Sequence, residues 1–330
     1  MAGIGDAVMG LPAFKTVREN NKNAILHLLT TPRTQNLIKH QKIFNKIYTF
    51  DLNRAKKIQN VEYTIKNISN LIGKLRKQKY DLVINFFRLP TLWGTLRMLF
   101  FIKLIGAKKT AGRSPRYKFF DYTYVEENLH EIEKNLKLCE MLGFKIKEKL
   151  PQIIIPEEAE ERIKKWLYKI NPQNKILIGI NLGGMKPAYR WDTENYRKLC
   201  EEILKKYDAK IILIGAKEDK IYAKYFEDLN VISAIGKFSL IEICALLKNL
   251  NLLITHDSGI MHIASALSTP LIALLGPAHP SVEPVGTGKI IKIRKKVKCS
   301  PCNKIICKKN ICMKKITLEE VLKQVDILIA

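Results

Sequence analysis

The residues Thr255-His256-Asp257-Ser258-Gly259-Ile260-Met261-His262 follow an apolar, strand-like run and lead into a helical pattern. Asp257 or Ser258 can cap that helix. The backbone N–H groups from Ser258 to Met261 then stand at the positive end of its dipole, a place suited to an anion. A diphosphate fits this geometry, with an ordinary capped helix as the plain alternative. A second loop, Asn181-Leu182-Gly183-Gly184-Met185-Lys186-Pro187-Ala188-Tyr189-Arg190-Trp191, also follows a strand-like run. Its adjacent glycines allow close backbone approach to a ligand, while Lys186 and Arg190 offer fixed positive charge for phosphate. Trp191 reads as a packing residue at a helix start. Gly276-Pro277-Ala278-His279-Pro280 adds another glycine turn after the run at 270–275.

Near the start, Gly3-x-Gly5-Asp6 looks like a strand-to-helix turn carrying one carboxylate, yet only Met1 and Ala2 precede it. The expectation is that a first strand is missing and lies upstream, or that a neighbouring strand compensates. At the other end, Cys299-x2-Cys302-x4-Cys307-x4-Cys312 is compact and lysine-rich. Four thiolates so spaced suit a structural zinc held tetrahedrally, with flanking lysines lowering the thiol pKa values; disulfides or reduced packing thiols are the alternatives. Cys139, Cys200 and Cys244 fall on helical stretches and read as core.

These loops need strands and helices to hold them. In the second half, strand-like runs at 175–181, 210–215, 231–235, 252–255 and 270–275 lack polar alternation and are separated by amphipathic stretches. That pattern describes a parallel sheet covered on both faces, a Rossmann-like domain of doubly wound type. The first half repeats it less clearly, with strands at 24–29, 46–50, 82–85 and 110–112 and helices at 7–18, 61–78, 91–105 and 129–142. Pro151 and Pro156 bracket the join, giving domains 1–155 and 156–330, the latter containing the basic cysteine segment 289–315. A final helix near 317–329 is expected to pack back on the first domain.

Composition agrees with two folded domains: 330 residues, 47% hydrophobic and 27% charged, exclude disorder and collagen-like repeats. The formal charge of +26 points to anionic partners. Eight Lys/Arg and no acid occupy 82–120, and eleven with no acid occupy 284–318. A lysine-rich composition with solvated faces is the bland account of both. The most apolar stretch, 89–107, is interrupted by Pro90, Arg97 and Lys103, and about 18 uncharged residues would be needed to span a bilayer. No secretory pattern opens the chain, so the cytoplasm is the expected compartment.

Taken in order, Gly3-x-Gly5-Asp6 with Leu11-Pro12-Ala13, Pro187-Ala188-Tyr189-Arg190-Trp191, Asp257-Ser258-Gly259-x-Met261-His262-x-Ala264, Gly276-Pro277-x-x-Pro280 and Cys299-x-x-Cys302 resemble glycosyltransferase family 9, the ADP-heptose:lipopolysaccharide heptosyltransferases. The resemblance implies an α/β GT-B fold with two facing Rossmann-like domains and inverting sugar transfer that requires no metal or other cofactor. It also implies a lipid A–Kdo acceptor at the cytoplasmic face of the inner membrane. Matched position by position, Asp6 takes the place of the general base. Asp257, Ser258, Gly259, Ile260 and His262 take the donor loop, Glu218 the ribose contact and Phe238 the flank of the base. Tyr189 departs from the family, which often has Lys there to contact the donor phosphate; Arg190 or Lys186 is the expected substitute. Gly5, Arg88, Arg113 and Arg116 are expected on the acceptor side, where Trp93, Phe100 and Phe101 accompany the charges. The partners implied are a nucleotide-sugar donor, an anionic lipid-linked saccharide and peripheral membrane contact, with no nucleic acid. The same fold with another donor or acceptor, or a nucleotide-sugar epimerase, is the alternative.

Overall fold

A helix opens the described part of the chain, and it is buried along most of its length. α1 (Ile4–Asn20) places Ala7, Val8, Met9, Leu11 and Ala13 in the core. The computed structural model describes residues 3–51, 61–89, 91–114, 118–125 and 127–329. The chain divides into two units, Met1–Lys149 and Leu150–Ala330.

In the first unit, β1 (His27–Thr30), α2 (Pro32–Ile38) and β2 (Lys46–Thr49) follow α1, and the two strands pair in parallel. α3 (Val61–Arg76) leads to β3 (Leu82–Asn85), and α4 (Leu92–Leu104) to β4 (Lys109–Ser114) and β5 (Tyr122–Val125). β3, β4 and β5 form a second parallel sheet in that order. α5 (Glu131–Met141) packs on α1. Leu29 and Tyr48 of the first sheet share a hydrophobic cluster with Val83 of the second, together with Leu75 and Ile105. Among the described residues no strand pairs the two sheets to each other. The strand expected ahead of Gly3 lies outside the described residues.

The second unit runs α6 (Glu157–Ile170), β6 (Ile176–Asn181), α7 (Thr193–Lys206), β7 (Ala209–Ile214), α8 (Lys220–Ala223), β8 (Val231–Ser233) and α9 (Leu240–Lys248). It continues with β9 (Leu252–His256), α10 (Gly259–Ala266), β10 (Leu271–Leu275), β11 (Ile290–Arg294), α11 (Ile311–Lys314) and α12 (Leu318–Ile329). Its six strands are all parallel, in the order β11-β10-β9-β6-β7-β8. Every residue of β9 and β10 is buried, as a sheet covered on both faces requires. The chain moves outward from β6 to β8, then returns to β9 on the other side of β6. That reversal leaves a crevice at the carboxyl ends of β6 and β9, where doubly wound sheets bind ligands.

The last helix, α12, packs on α7 and β10 of its own unit, and Val321 and Val325 are fully buried in that unit's core. Trp191 reinforces the packing, its indole N–H donating to the carbonyl of Ile316 at 3.0 Å.

Candidate active site

Asn181, the last residue of β6, ties the two strand ends together. Its amide donates to Ser258 Oγ at 3.0 Å, Thr255 Oγ1 at 2.8 Å and the Gly183 carbonyl at 3.1 Å, and its oxygen accepts from Gly183 N–H. Ser258 stands at the N-cap position of α10, but its side chain makes no cap hydrogen bond. Its hydroxyl is engaged by Asn181 instead. The first-turn N–H groups of α10, from Gly259 onward, stand at the positive end of the helix dipole at the crevice end of the sheet, a place suited to an anion. Asp257 and His262 flank this turn, Oδ1 and Nε2 lying 3.8 Å apart.

The glycine loop after β6 is clamped from below. Arg190 donates through Nε to the Gly184 carbonyl at 3.1 Å and pairs through Nη2 with Asp219 Oδ1 at 3.1 Å. It also hydrogen-bonds the Tyr222 hydroxyl and stacks on that ring. Asp219 Oδ2 accepts the N–H of Ala216 at 2.9 Å, fixing the turn after β7. Beneath the loop lies His256, fully buried, with Nδ1 3.2 Å from the Tyr196 hydroxyl. Burial, helped by the positive charge of Arg190, pushes its pKa down to about 3. The low value keeps this buried imidazole in its neutral form beneath the loop.

Around the crevice, Glu218 is exposed on the turn after β7, and Phe238 is half-buried, edge-on to Trp166 at 5.0 Å. Lys186 is exposed, its ammonium 4.4 Å from the centre of the Tyr189 ring. In the first unit, Asp6 is exposed on the first turn of α1 next to Gly5, and its Oδ2 accepts the Gly3 N–H at 2.8 Å. Arg88 is exposed just beyond β3.

Residues 68–312 match the family model for glycosyltransferase family 9 (heptosyltransferase). The chain belongs to glycosyltransferase family 9. Over 254 residues it is 30% identical to lipooligosaccharide heptosyltransferase 2 of Haemophilus ducreyi, covering 68% of this chain and 71% of that one. It is 24% identical to lipopolysaccharide heptosyltransferase 1 of Campylobacter coli, covering 90% and 89%. The crystal structure of a family 9 glycosyl transferase from Veillonella parvula superposes with a TM-score of 0.80 at 22% identity, covering 99% and 94%. This family 9 chain is thus a glycosyltransferase of the heptosyltransferase family, with the α/β GT-B architecture of two Rossmann-like units.

Two of its expected site features, Arg113 and the cysteine cluster, have other surroundings in the structure. Arg113 was expected on the acceptor side, but it is 1% exposed, with its guanidinium held by Glu131 at 2.7 Å and Asn135 at 2.6 Å. A side chain so enclosed is an internal tie, not a ligand contact. Arg116 lies outside the described residues. The four cysteines do not assemble a zinc site: among the described residues no group of three or more His, Cys, Asp or Glu is arranged to hold a metal. The backbone of the segment pairs with the neighbouring turns. Cys302 and Asn303 donate to the Pro277 carbonyl, Ser300 Oγ donates to the Gly276 carbonyl at 2.7 Å, and Ala188 N–H donates to Ile305 at 3.0 Å. The segment is committed to bracing the Gly276 turn and the 187–189 turn. Cys299 is exposed while Cys312 is buried, and burial pushes the Cys312 thiol up. Tyr189 is buried as well, packed with Ala188, Ala278 and Val282, its hydroxyl pushed up to about 12 by burial and the nearby Asp257 charge. With Arg190 bound into the loop, Lys186 is the exposed cation of this segment.

Asn181 and Asp219 were missed as site residues. A polar residue ending an apolar strand was the available signal for the first, and the acidic pair Glu218-Asp219 after a strand for the second. A Cβ at Gly183 would fall 2.3 Å from Asp219 Oδ2 and 3.0 Å from the backbone of Gly215. Asp219 cannot turn aside without releasing Arg190 and Ala216. Gly183→Ala is expected to cost about 1–3 kcal/mol of stability, read by thermal melting.

Proposed function

We propose that this protein transfers heptose from ADP-heptose, with inversion, to the lipid A–Kdo inner core of lipopolysaccharide at the cytoplasmic face of the inner membrane, where it acts as a peripheral enzyme. The observation that carries this reading is the anion site at the reversal point of the sheet. There, Asn181 holds the Ser258 hydroxyl, which makes no cap bond to α10, and the first-turn N–H groups of that helix stand at the strand ends. The donor diphosphate lies on those groups with Gly183, Gly184, Asp257, Ser258, Gly259 and Ile260 around it, His262 behind and Lys186 as mobile countercharge. Glu218 accepts the ribose hydroxyls, and Phe238 flanks the base. A solved Escherichia coli heptosyltransferase of this fold was captured with ADP-2-deoxy-2-fluoro heptose (TM-score 0.74, 15% identity, covering 99% and 97%), and that ligand is the kind of donor proposed.

In the reaction, an acceptor hydroxyl attacks the anomeric carbon while its proton passes to the Asp6 carboxylate. The bond from that carbon to the diphosphate oxygen breaks on the opposite face, and ADP departs. The α10 N–H groups and Lys186 stabilise the charge that develops on the leaving group, so the step as written uses no metal. Gly5 leaves room for the acceptor beside Asp6, and Arg88 and Arg116 meet its phosphates. A panel of nucleotide sugars incubated with lipid A–Kdo tests the reading by mass. A one-heptose gain with ADP-heptose alone is the expected result. Transfer from a different donor overturns the donor assignment, and no gain from any donor overturns the acceptor.

A further inference from the structure

We propose that α4 (Leu92–Leu104) is a docking helix whose outward apolar face seats on an anionic phospholipid bilayer. The helix is apolar on two sides, and only one of them is used by the fold. Thr95 and Ile102 are buried, and Met98, Leu99 and Phe101 gather with Ile102 around Leu89 and Phe120. The other side carries Leu92, Trp93, Leu96 and Phe100, exposed by 50%, 71%, 40% and 64%. Positions 92, 96 and 100 recur every fourth residue, and 93 falls beside them, so the four side chains form one contiguous stripe on the helix surface.

Charge decides what this stripe faces. Arg97 and Lys103 are exposed on the same helix, Arg97 along one edge of the stripe and Lys103 in line with it, one turn past Phe100. No acidic residue occurs from Leu82 to Phe120, which carries eight Lys/Arg. A second copy of this chain would present the same acid-free, cationic face, so a two-fold pairing through the stripe would bring cations against cations. An anionic leaflet meets the same cations favourably, and the amphipathic Trp93 ring suits the headgroup level. With 13 residues and two cations, α4 lies in the surface and does not cross it. The proposal deepens the reading of a lipid-linked acceptor, and on that reading the helix would bring the acceptor-side unit to the membrane. Docking itself is measurable without any sugar.

The test is co-sedimentation of the full chain with phosphatidylcholine vesicles, with and without about a third phosphatidylglycerol. The wild type is expected to sediment with the anionic vesicles, to be released by high salt, and to show a blue-shifted tryptophan emission when bound. Trp93→Ser/Phe100→Ser leaves every charge in place and is expected to lose binding at least about tenfold while still binding ADP on the second unit. Arg97→Gln/Lys103→Gln is expected to lose the preference for anionic lipid. A wild type indifferent to vesicles overturns the proposal, as does a double-serine variant that binds them undiminished. A wild-type dimer in solution that the double-serine variant abolishes also overturns it, by assigning the stripe to a second copy. Heptose transfer to a detergent-solubilised acceptor separates the two readings. Transfer without vesicle binding removes the docking helix and leaves the function, whereas vesicle binding without transfer does the reverse.

Discussion

Asp6→Asn is expected to bind ADP as tightly as the wild type and to transfer sugar about 10²–10⁴-fold more slowly, the usual loss when a positioned base is removed. The substitution is chosen because Asp6 also has a structural task. Its Oδ2 accepts the Gly3 N–H at 2.8 Å and so closes the first turn of α1. Asn keeps an acceptor oxygen at that position, so the turn persists, but an amide takes up no proton. Loss of the negative charge at the helix N-terminus costs only about 0.3–1 kcal/mol, too little to unfold a helix buried as deeply as α1. Kinetics and melting thus separate the two tasks. A variant that melts slightly early and turns over normally would make Asp6 a cap alone; one that melts normally and turns over slowly makes it the base.

How far such roles could be read from sequence depended on whether the signal was local. The sheet of the second unit was legible because its strands are unbroken β-branched runs, and five of its six strands fell near their expected positions. The sixth, β11, is an edge strand whose sequence Ile290-Ile291-Lys292-Ile293-Arg294 was hidden inside a lysine-rich stretch. β5 was hidden for a related reason, since Tyr122-Thr123-Tyr124-Val125 is short and its polar flanks read as loop. α6 was hidden in the sequence by its place directly after Pro156, where the join between the domains falls. The glycine loops of the site were legible because each follows a strand directly. What fixes those loops was not legible: Asn181 reaches Ser258 across 77 positions, and Arg190 reaches Asp219 across 29. The acid-free run 82–120 was a mixed signal. It marked Trp93 and Phe100 rightly as surface companions of the charges, but it also enrolled Arg113, whose counter-charge sits just beyond the run.

That counter-charge supports the largest stability effect expected in the first unit. Glu131 lies between two buried cations, with Oε2 2.7 Å from Arg113 Nη2 and Oε1 2.9 Å from Lys134 Nζ. Burial pushes its carboxyl up, but Arg113 and Lys134 outweigh burial and hold it below the ordinary glutamate value of 4.5. A lowered carboxyl pKa adds stability that is complete above 4.5 and disappears as the pH falls through the lowered value. Glu131→Gln removes the buried negative charge that both cations share, so a loss of about 3–5 kcal/mol is expected, on the order of 10 °C in melting temperature. Arg113→Met should cost less, because Lys134 still neutralises Glu131 and a thioether fills the space of the guanidinium stem. This asymmetry distinguishes an internal tie from an acceptor contact. If Arg113 instead touched the acceptor, Arg113→Met would raise the acceptor KM while leaving melting unchanged, and the acid-side instability of the first unit would be the same in both proteins.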